Sequence, residues 1–296
     1  MKSLKARRIV GNVLIYVILG VMSVIWLAPL LWLVLQSFAT TSSARSRFIP
    51  DEFSASSYLA LFSNLTGYTH DGKYHMYDGL FTTWFLNTLI VAVLSCLIST
   101  LFVLGTAYAL SRFRFNGRGL FMKINLVIGM FPGFLGMIIL YWVMYSIFNL
   151  TGSYWSLVII YSAGAGGGYY ISKGFFDTVS KSIDEAAEID GANKAQIFFK
   201  IILPLSKPIV VYTILTSFMG PWGEYVTSSY IIGTDQKLNW TVAIGLYQML
   251  NDTQIVSTYY TQFAAGAVVV ALPITILFFC LQKYYVSGVT GGAVKG

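Results

Sequence analysis

The chain has 296 residues, 56% of them hydrophobic and 10% charged, with a mean hydropathy of +0.68 and a formal net charge of +7. That much apolar surface exceeds what a soluble fold of this size can bury, which excludes a water-soluble globule and makes lipid the solvent for most of the chain. In a membrane protein the excess of Lys and Arg is a topology signal, which accounts for the basic segment RFRFNGRGLFMK (residues 112–123) without invoking nucleic acid.

No charged residue occurs from Ile9 to Gln36, and this run of 28 exceeds the roughly 20 residues that cross a bilayer core as a helix. It is also longer than the apolar part of a cleaved signal peptide, about 7–15 residues, so Lys2, Lys5, Arg7 and Arg8 read as an uncleaved flank. His70 and His75 follow in an outer loop with Asp71 and Asp78, at a spacing that matches no standard metal site, and no metal is expected. Further charge-poor runs cover about 85–110, 124–148, 154–172, 208–232 and 262–282. With 9–36 they make six expected transmembrane helices and an all-α integral membrane protein. Six spans put both termini on one side, where fifteen Lys and Arg fall, against Arg45, Arg47, Lys73 and Lys237 on the other. The termini, the loop 177–207 and the tail 283–296 are therefore expected in the cytoplasm, and the loop 233–261 outside. Cys96 and Cys280 lie in expected spans, so no disulfide framework is indicated.

The run AGAGGGYYISKG (Ala163 to Gly174) has the glycines of a phosphate loop but lacks its G-K-[ST] ending and lies within a span. Gly164, Gly166, Gly167 and Gly168 read instead as a place where helix backbones meet closely, or as a thin face bordering a translocation path. Neither H-E-x-x-H nor G-x-S-x-G is present, so no catalytic residue is expected.

Five of the twelve acidic residues (Asp177, Asp184, Glu185, Glu188, Asp190) fall within fourteen positions of the loop 177–207. Ser182-Ile183-Asp184-Glu185 fits a capping box that starts a helix there. On that helix Ile183, Ala186, Ala187 and Asp190 share one face, while Asp184, Glu185 and Glu188 project elsewhere. Gly191 ends it in a left-handed conformation, Asn193 with Gln196 caps a second helix, and Pro204 and Pro208 turn the chain into the next span. Two capped helices in a connector of this length point to a docking element, although a plain solvated loop also fits.

Gly220-Pro221-Trp222-Gly223-Glu224 interrupts the fifth span near its middle. Backbone groups freed there must face protein or water, and an ionisable Glu224 in a span marks a polar interior. Trp222 could stack on a sugar ring at such a cavity, or simply pack in a kink near the interface. Beyond the span, Thr241 to Met249 reads as a short helix and Leu250 to Ile255 as a polar turn.

Glu185-Ala186-Ala187, three residues, Gly191, nine residues and then Ile201-Ile202-Leu203-Pro204 match every fixed position of EAA-x3-G-x9-I-x-L-P. In this the chain resembles the transmembrane subunits of ATP-binding-cassette (ABC) importers. Its ending, Ala271 to Gly296, is similar to that of the maltose/maltodextrin permease subunits. The resemblance implies a type I ABC importer permease fold in a bacterial inner (cytoplasmic) membrane, with a cytoplasmic EAA coupling helix. Glu185, Ala186, Ala187, Asp190, Gly191, Ile201, Leu203 and Pro204 would then couple it to the ATPase. Gly220, Pro221, Trp222 and Glu224 would line the translocation path. Asn251, Asp252, Thr253 and Gln254 would touch the binding protein, and the tail Gly288 to Gly296 would reach between ATPase subunits. Implied partners are a second permease subunit, an ATPase dimer, an extracellular sugar-binding protein and a maltodextrin-like oligosaccharide, with no cofactor held by this chain. A permease for another oligosaccharide is the nearest alternative. An ion-coupled secondary transporter is a more distant one, because it would need more intramembrane charges than the nearly solitary Glu224.

Overall fold

A computed structural model describes residues 2–40, 42, 44, 47–62, 79–131, 133–163, 168–251 and 256–293. Among these residues the structure is helical, and the β pairing is a single bridge between Ala39 and Phe53. The loop histidines and their neighbouring aspartates lie outside the described residues.

The chain forms two compact units. The first comprises Met1–Gly79 and Gln248–Val269. It holds α1 (Lys2–Ser37), α2 (Ser56–Phe62) and the start of α14 (Val256–Ala293). Within it Ser37 Oγ and the Tyr58 hydroxyl meet at 2.7 Å, and the rings of Trp32 and Tyr260 lie 6.3 Å apart. The apolar stretch Arg8–Ser37 is long enough to cross a membrane and none of its most apolar window is buried. With nothing apolar to turn toward, such a helix needs lipid or another chain around it.

The second unit comprises Leu80–Tyr247 and Val270–Gly296. Its axis is α3 (Phe81–Arg112), against which α6 (Tyr154–Ala163), α7 (Tyr169–Thr178) and α11 (Lys207–Gly223) pack. Small residues make that packing close: Ala92, Ser95, Ser99 and Ala107 of α3 are buried, and a side chain added at Gly168 would meet Val103 at 3.7 Å. Ser95 Oγ donates to the Val91 carbonyl, satisfying a hydroxyl away from water. Between α3 and α6 run α4 (Arg118–Gly129) and α5 (Gly133–Val143), the latter continuing as a π-helical turn over Met144–Phe148.

Among the described residues, three helices can cross a membrane by length and composition: Arg8–Ser37, Phe81–Arg112 and Tyr259–Tyr284. A bent pair, Lys194–Leu205 with Lys207–Gly223, makes a possible fourth, and Leu135–Phe148 and Tyr154–Ala163 are shorter apolar helices. The last helix, α14, continues to Ala293, where glycine-rich composition alone suggests a frayed end.

Candidate functional site

The acidic island folds as expected in outline and differs in detail. Helix α8 (Lys181–Ile189) is capped by Ser180, whose Oγ accepts the Ser182 amide at 3.3 Å, and not by Ser182. Serine at either position can supply the oxygen, so the sequence pattern did not discriminate between them. Gly191 adopts φ +85 and closes the helix as a Schellman motif: the Ala192 amide donates to the Ala187 carbonyl and the Gly191 amide to that of Glu188. Asn193 and Gln196 then form a reciprocal capping box, with both bonds at 2.9 Å. The second helix runs as α9 (Lys194–Gln196), a π-helical stretch Ile197–Ile202 and α10 (Leu203–Leu205), bent by 88° from α11. Pro204 offers no amide to the Lys200 carbonyl and its ring would clash there in a regular helix, which accounts for the widened turns just before it.

The face that α8 packs inward is Ile183, Asp184 and Ala187, whereas Glu185, Ala186, Glu188, Ile189 and Asp190 are exposed. Ile189 is 87% exposed. Glu188 pairs with Lys194 across the Gly191 bend. Ile201 and Leu203 are half-buried against a core formed by Leu104, Ala107, Tyr108, Phe176, Ala187, Ile197, Phe198 and Ile202. Pro204 is exposed.

Asp184 points into that core. Arg112 Nε lies 3.1 Å from its Oδ2, and both side chains are more than nine-tenths buried. Arg112 Nη2 also donates to the Val179 carbonyl at 3.0 Å. Beside it Ser111 Oγ donates to Asp177 Oδ1 at 2.6 Å, and Lys173 bonds the other oxygen of that carboxylate. Burial pushes the Asp177 carboxyl up, but the hydrogen bonds from Lys173 and Ser111 and the charges of Lys173 and Arg118 outweigh it and hold it below its ordinary value. Position in the sequence marks Arg112 as one topology charge among several, and only the tertiary contact reveals its partner.

The second element is the interruption after α11. Helical geometry stops at Gly223, Glu224 is extended (ψ 101), and α12 (Val226–Ile232) restarts beyond it. Glu224 holds this break together: its carboxylate accepts the amides of Thr227 (2.8 Å) and Ser228 (3.0 Å) and the Tyr161 hydroxyl of α6 (2.9 Å). One anion thus caps α12 where the helix dipole is positive and ties it to a neighbouring helix. Pro221 and Trp222 are buried, and Trp222 packs edge-on against Phe85 (5.2 Å) and beside Phe218 (5.8 Å).

Next to the break lies a cavity of about 390 Å³. Its lining mixes apolar Val103, Met137, Leu140 and Ile160 with the hydroxyl-bearing Ser99, Tyr161, Thr213, Thr216, Ser217 and Thr227, and includes Gly220 and Pro221. Among the described residues, Trp222 and Glu224 do not line it, nor does any Lys, Arg, Asp or Glu. A cleft of this size, with hydroxyl-bearing residues beside apolar ones and no charge in its described lining, suits an uncharged solute better than an ion.

Farther along, Trp84 Nε1 donates to the Lys237 carbonyl, and Asn87 donates to the carbonyls of Leu238 and Trp240. These bonds anchor the start of the loop 233–261 on α3. Helix α13 (Val242–Asn251) follows and covers all but the first residue of the helix expected over Thr241 to Met249. Asn251 is its exposed last residue, and Asp252, Thr253 and Gln254 lie outside the described residues. So do Gly164, Gly166 and Gly167.

Residues 101–291 match the family model described as binding-protein-dependent transport system inner membrane component. The chain is 36% identical over 295 residues to the galactooligosaccharides transport system permease protein GanQ of Bacillus subtilis (strain 168), covering 99% of each chain. It is 39% identical to the maltodextrin transport system permease protein MalD of Streptococcus pneumoniae over 235 residues, 76% of this chain and 81% of that one. Among solved structures, a bacterial ABC transporter chain involved in alginate import superposes with a TM-score of 0.73 at 24% identity, covering 95% of this chain and 98% of that one.

Proposed function

The chain belongs to the family of binding-protein-dependent transport system inner membrane components, and from that premise we propose that it is one of two membrane subunits of an ATP-driven importer of maltodextrin-like oligosaccharides. It is a transport permease subunit and not an enzyme. Its partners in this reading are a second permease subunit, a dimeric ATPase and an extracellular sugar-binding protein. Six spans, with both termini cytoplasmic, complete the topology. The three long apolar helices, the bent pair and the two shorter apolar helices support that count, and the bias of Lys and Arg supports the orientation.

The observation that supports the substrate class is the cavity beside the broken helix, whose described lining carries no charge and mixes apolar with hydroxyl-bearing side chains. Glu224 is occupied as a cap and cross-link, which also disfavours an ion-coupled carrier: such a protein needs a carboxylate free to bind and release the ion. In the coupling reading, α8 docks on the ATPase through Glu185, Ala186 and the exposed Ile189. Asp190 and Gly191 set the bend, and Ile201, Leu203 and Pro204 join it to α11.

The test is uptake by proteoliposomes containing both permease subunits, the ATPase and the binding protein. Labelled maltodextrins should accumulate only with ATP. A galactooligosaccharide permease is the second reading, favoured by the 36% identity to GanQ over nearly the whole chain. Accumulation of β-galactosides and not α-glucans by the same vesicles would decide for it, and ATP-independent uptake by the isolated chain would refute both.

A further inference from the structure

We propose that Arg112 and Asp184 are the positioning pair that fixes α8 to the end of α3, so that a displacement of α8 reaches that helix instead of dissipating in the joints on either side. This rests on the coupling reading of α8 above. Helix α8 is only nine residues long and sits between two joints. Before it, Val179 (ψ 128) and Ser180 (ψ 134) are extended, and after it Gly191 takes φ +85. Rotation about a few bonds at either joint would let a free α8 swing, because neither joint is part of a continuous helical rod.

A single guanidinium closes the first joint. Arg112 Nε meets Asp184 on α8 at 3.1 Å while Nη2 holds the Val179 carbonyl, an acceptor in the joint itself, at 3.0 Å. The neighbouring Ser111 extends the grip to α7 through Asp177, which Lys173 also holds. An aromatic cluster covers the same end of α3: Tyr108 lies 4.9 Å from Phe198 and packs edge-on with Phe113 at 5.7 Å. The π-helical stretch of the second helix is thereby packed against the place where α8 is held.

The choice of charged residues is informative. Removing two charges from water is costly, and a well-packed apolar pair of similar volume would serve stability equally well or better. What an apolar contact cannot do is resist sliding, whereas the Nη2 bond to the Val179 carbonyl orients the guanidinium, and the ion-pair contact of its Nε with Asp184 is costly to separate in a site shielded from water. The pair therefore fits a part that must transmit force without slipping.

The decisive measurement uses the complete transporter in proteoliposomes, spin-labelled at Lys181→Cys on α8 and Leu101→Cys on α3 in a Cys96→Ser/Cys280→Ser background. The label-to-label distance should be the same in the nucleotide-free and ATP-bound states. In Arg112→Gln or Asp184→Asn the distribution should broaden, and substrate transported per ATP hydrolysed should fall at least about tenfold, a modest expectation for breaking a buried pair. Assembled variants that keep a sharp distance and wild-type uptake per ATP would overturn the proposal. If the variants do not assemble, the wild-type distances decide, and a distance that moves between nucleotide states overturns the latch alone. If the unlabelled wild-type chain co-purifies with no ATPase, the proposal falls together with the coupling reading.

Discussion

Replacing Glu224 by glutamine probes the broken helix with a change of one atom. The carboxylate accepts three bonds: Oε1 takes the Thr227 amide, and Oε2 takes both the Ser228 amide and the Tyr161 hydroxyl. Glutamine retains one acceptor oxygen and places an NH2 group opposite either the Thr227 amide or the Ser228–Tyr161 pair. At least one donor then loses its acceptor and faces another donor. A hydrogen bond to a charged group contributes about 1.5–3 kcal/mol, and loss of a helix cap costs roughly 0.5–2 kcal/mol. With these overlapping, the break should be destabilised by about 1.5–3 kcal/mol, roughly a 10- to 150-fold change in its population. Reconstituted uptake and the melting temperature of the detergent-solubilised assembly read this together, with Tyr161→Phe as a control that removes one bond of the three. Tyr161→Phe and Glu224→Gln should be non-additive, because they share an acceptor. Wild-type uptake and melting in Glu224→Gln would refute the assignment of Glu224 as the group that holds α11, α12 and α6 in register.

Gly245→Ala should destabilise the α3–α13 packing. Its Cβ would fall 2.0 Å from the Trp84 ring, which is fully buried and held by its bond to Lys237, so a cost near 3 kcal/mol and a clear fall in melting temperature are expected. Gly191→Ala forces an alanine to φ +85 and should cost about 1–2 kcal/mol. Glu185→Lys, at an exposed position, should leave insertion unchanged while lowering ATP-driven uptake; undiminished uptake counts against docking at α8. Asn193→Ala removes the arm of the capping box that accepts the Gln196 amide, leaves the Gln196 side chain on the backbone amide of residue 193, and should cost about 0.5–2 kcal/mol, seen as faster amide exchange after Gly191. Asp177 is held below its ordinary carboxylate value, so its contribution is present at neutral pH and fades as pH falls through that lowered value. Melting scans from about pH 6 to about pH 3 should show a dependence that Asp177→Asn reduces.

Local chemistry made much of the coupling loop legible. Gly191, Asn193 and Gln196 sit where turn and cap preferences demand, and those preferences act over three or four residues. Which face α8 buries is not legible locally, because a nine-residue helix has too few apolar positions to define a stripe. Nor does local sequence place Asp184, whose partner lies seventy-two residues away. Trp222 follows the same pattern: sequence marks the break around it, but whether its ring faces the cavity or Phe85 depends on a helix more than a hundred residues earlier.

By itself, then, the sequence determined that this protein lives in lipid, where its helix-breaking points fall, and which loop carries the acidic helix, since hydropathy, proline, glycine and capping act along a short stretch of chain. Tertiary structure alone decided that Arg112 is buried against Asp184, that Glu224 also takes the hydroxyl of Tyr161, and that residues of several helices enclose one cavity. Each of those is a meeting of side chains from segments far apart in sequence. Such meetings are selected by packing and by the cost of leaving a buried charge unpaired, and neither is written in local order.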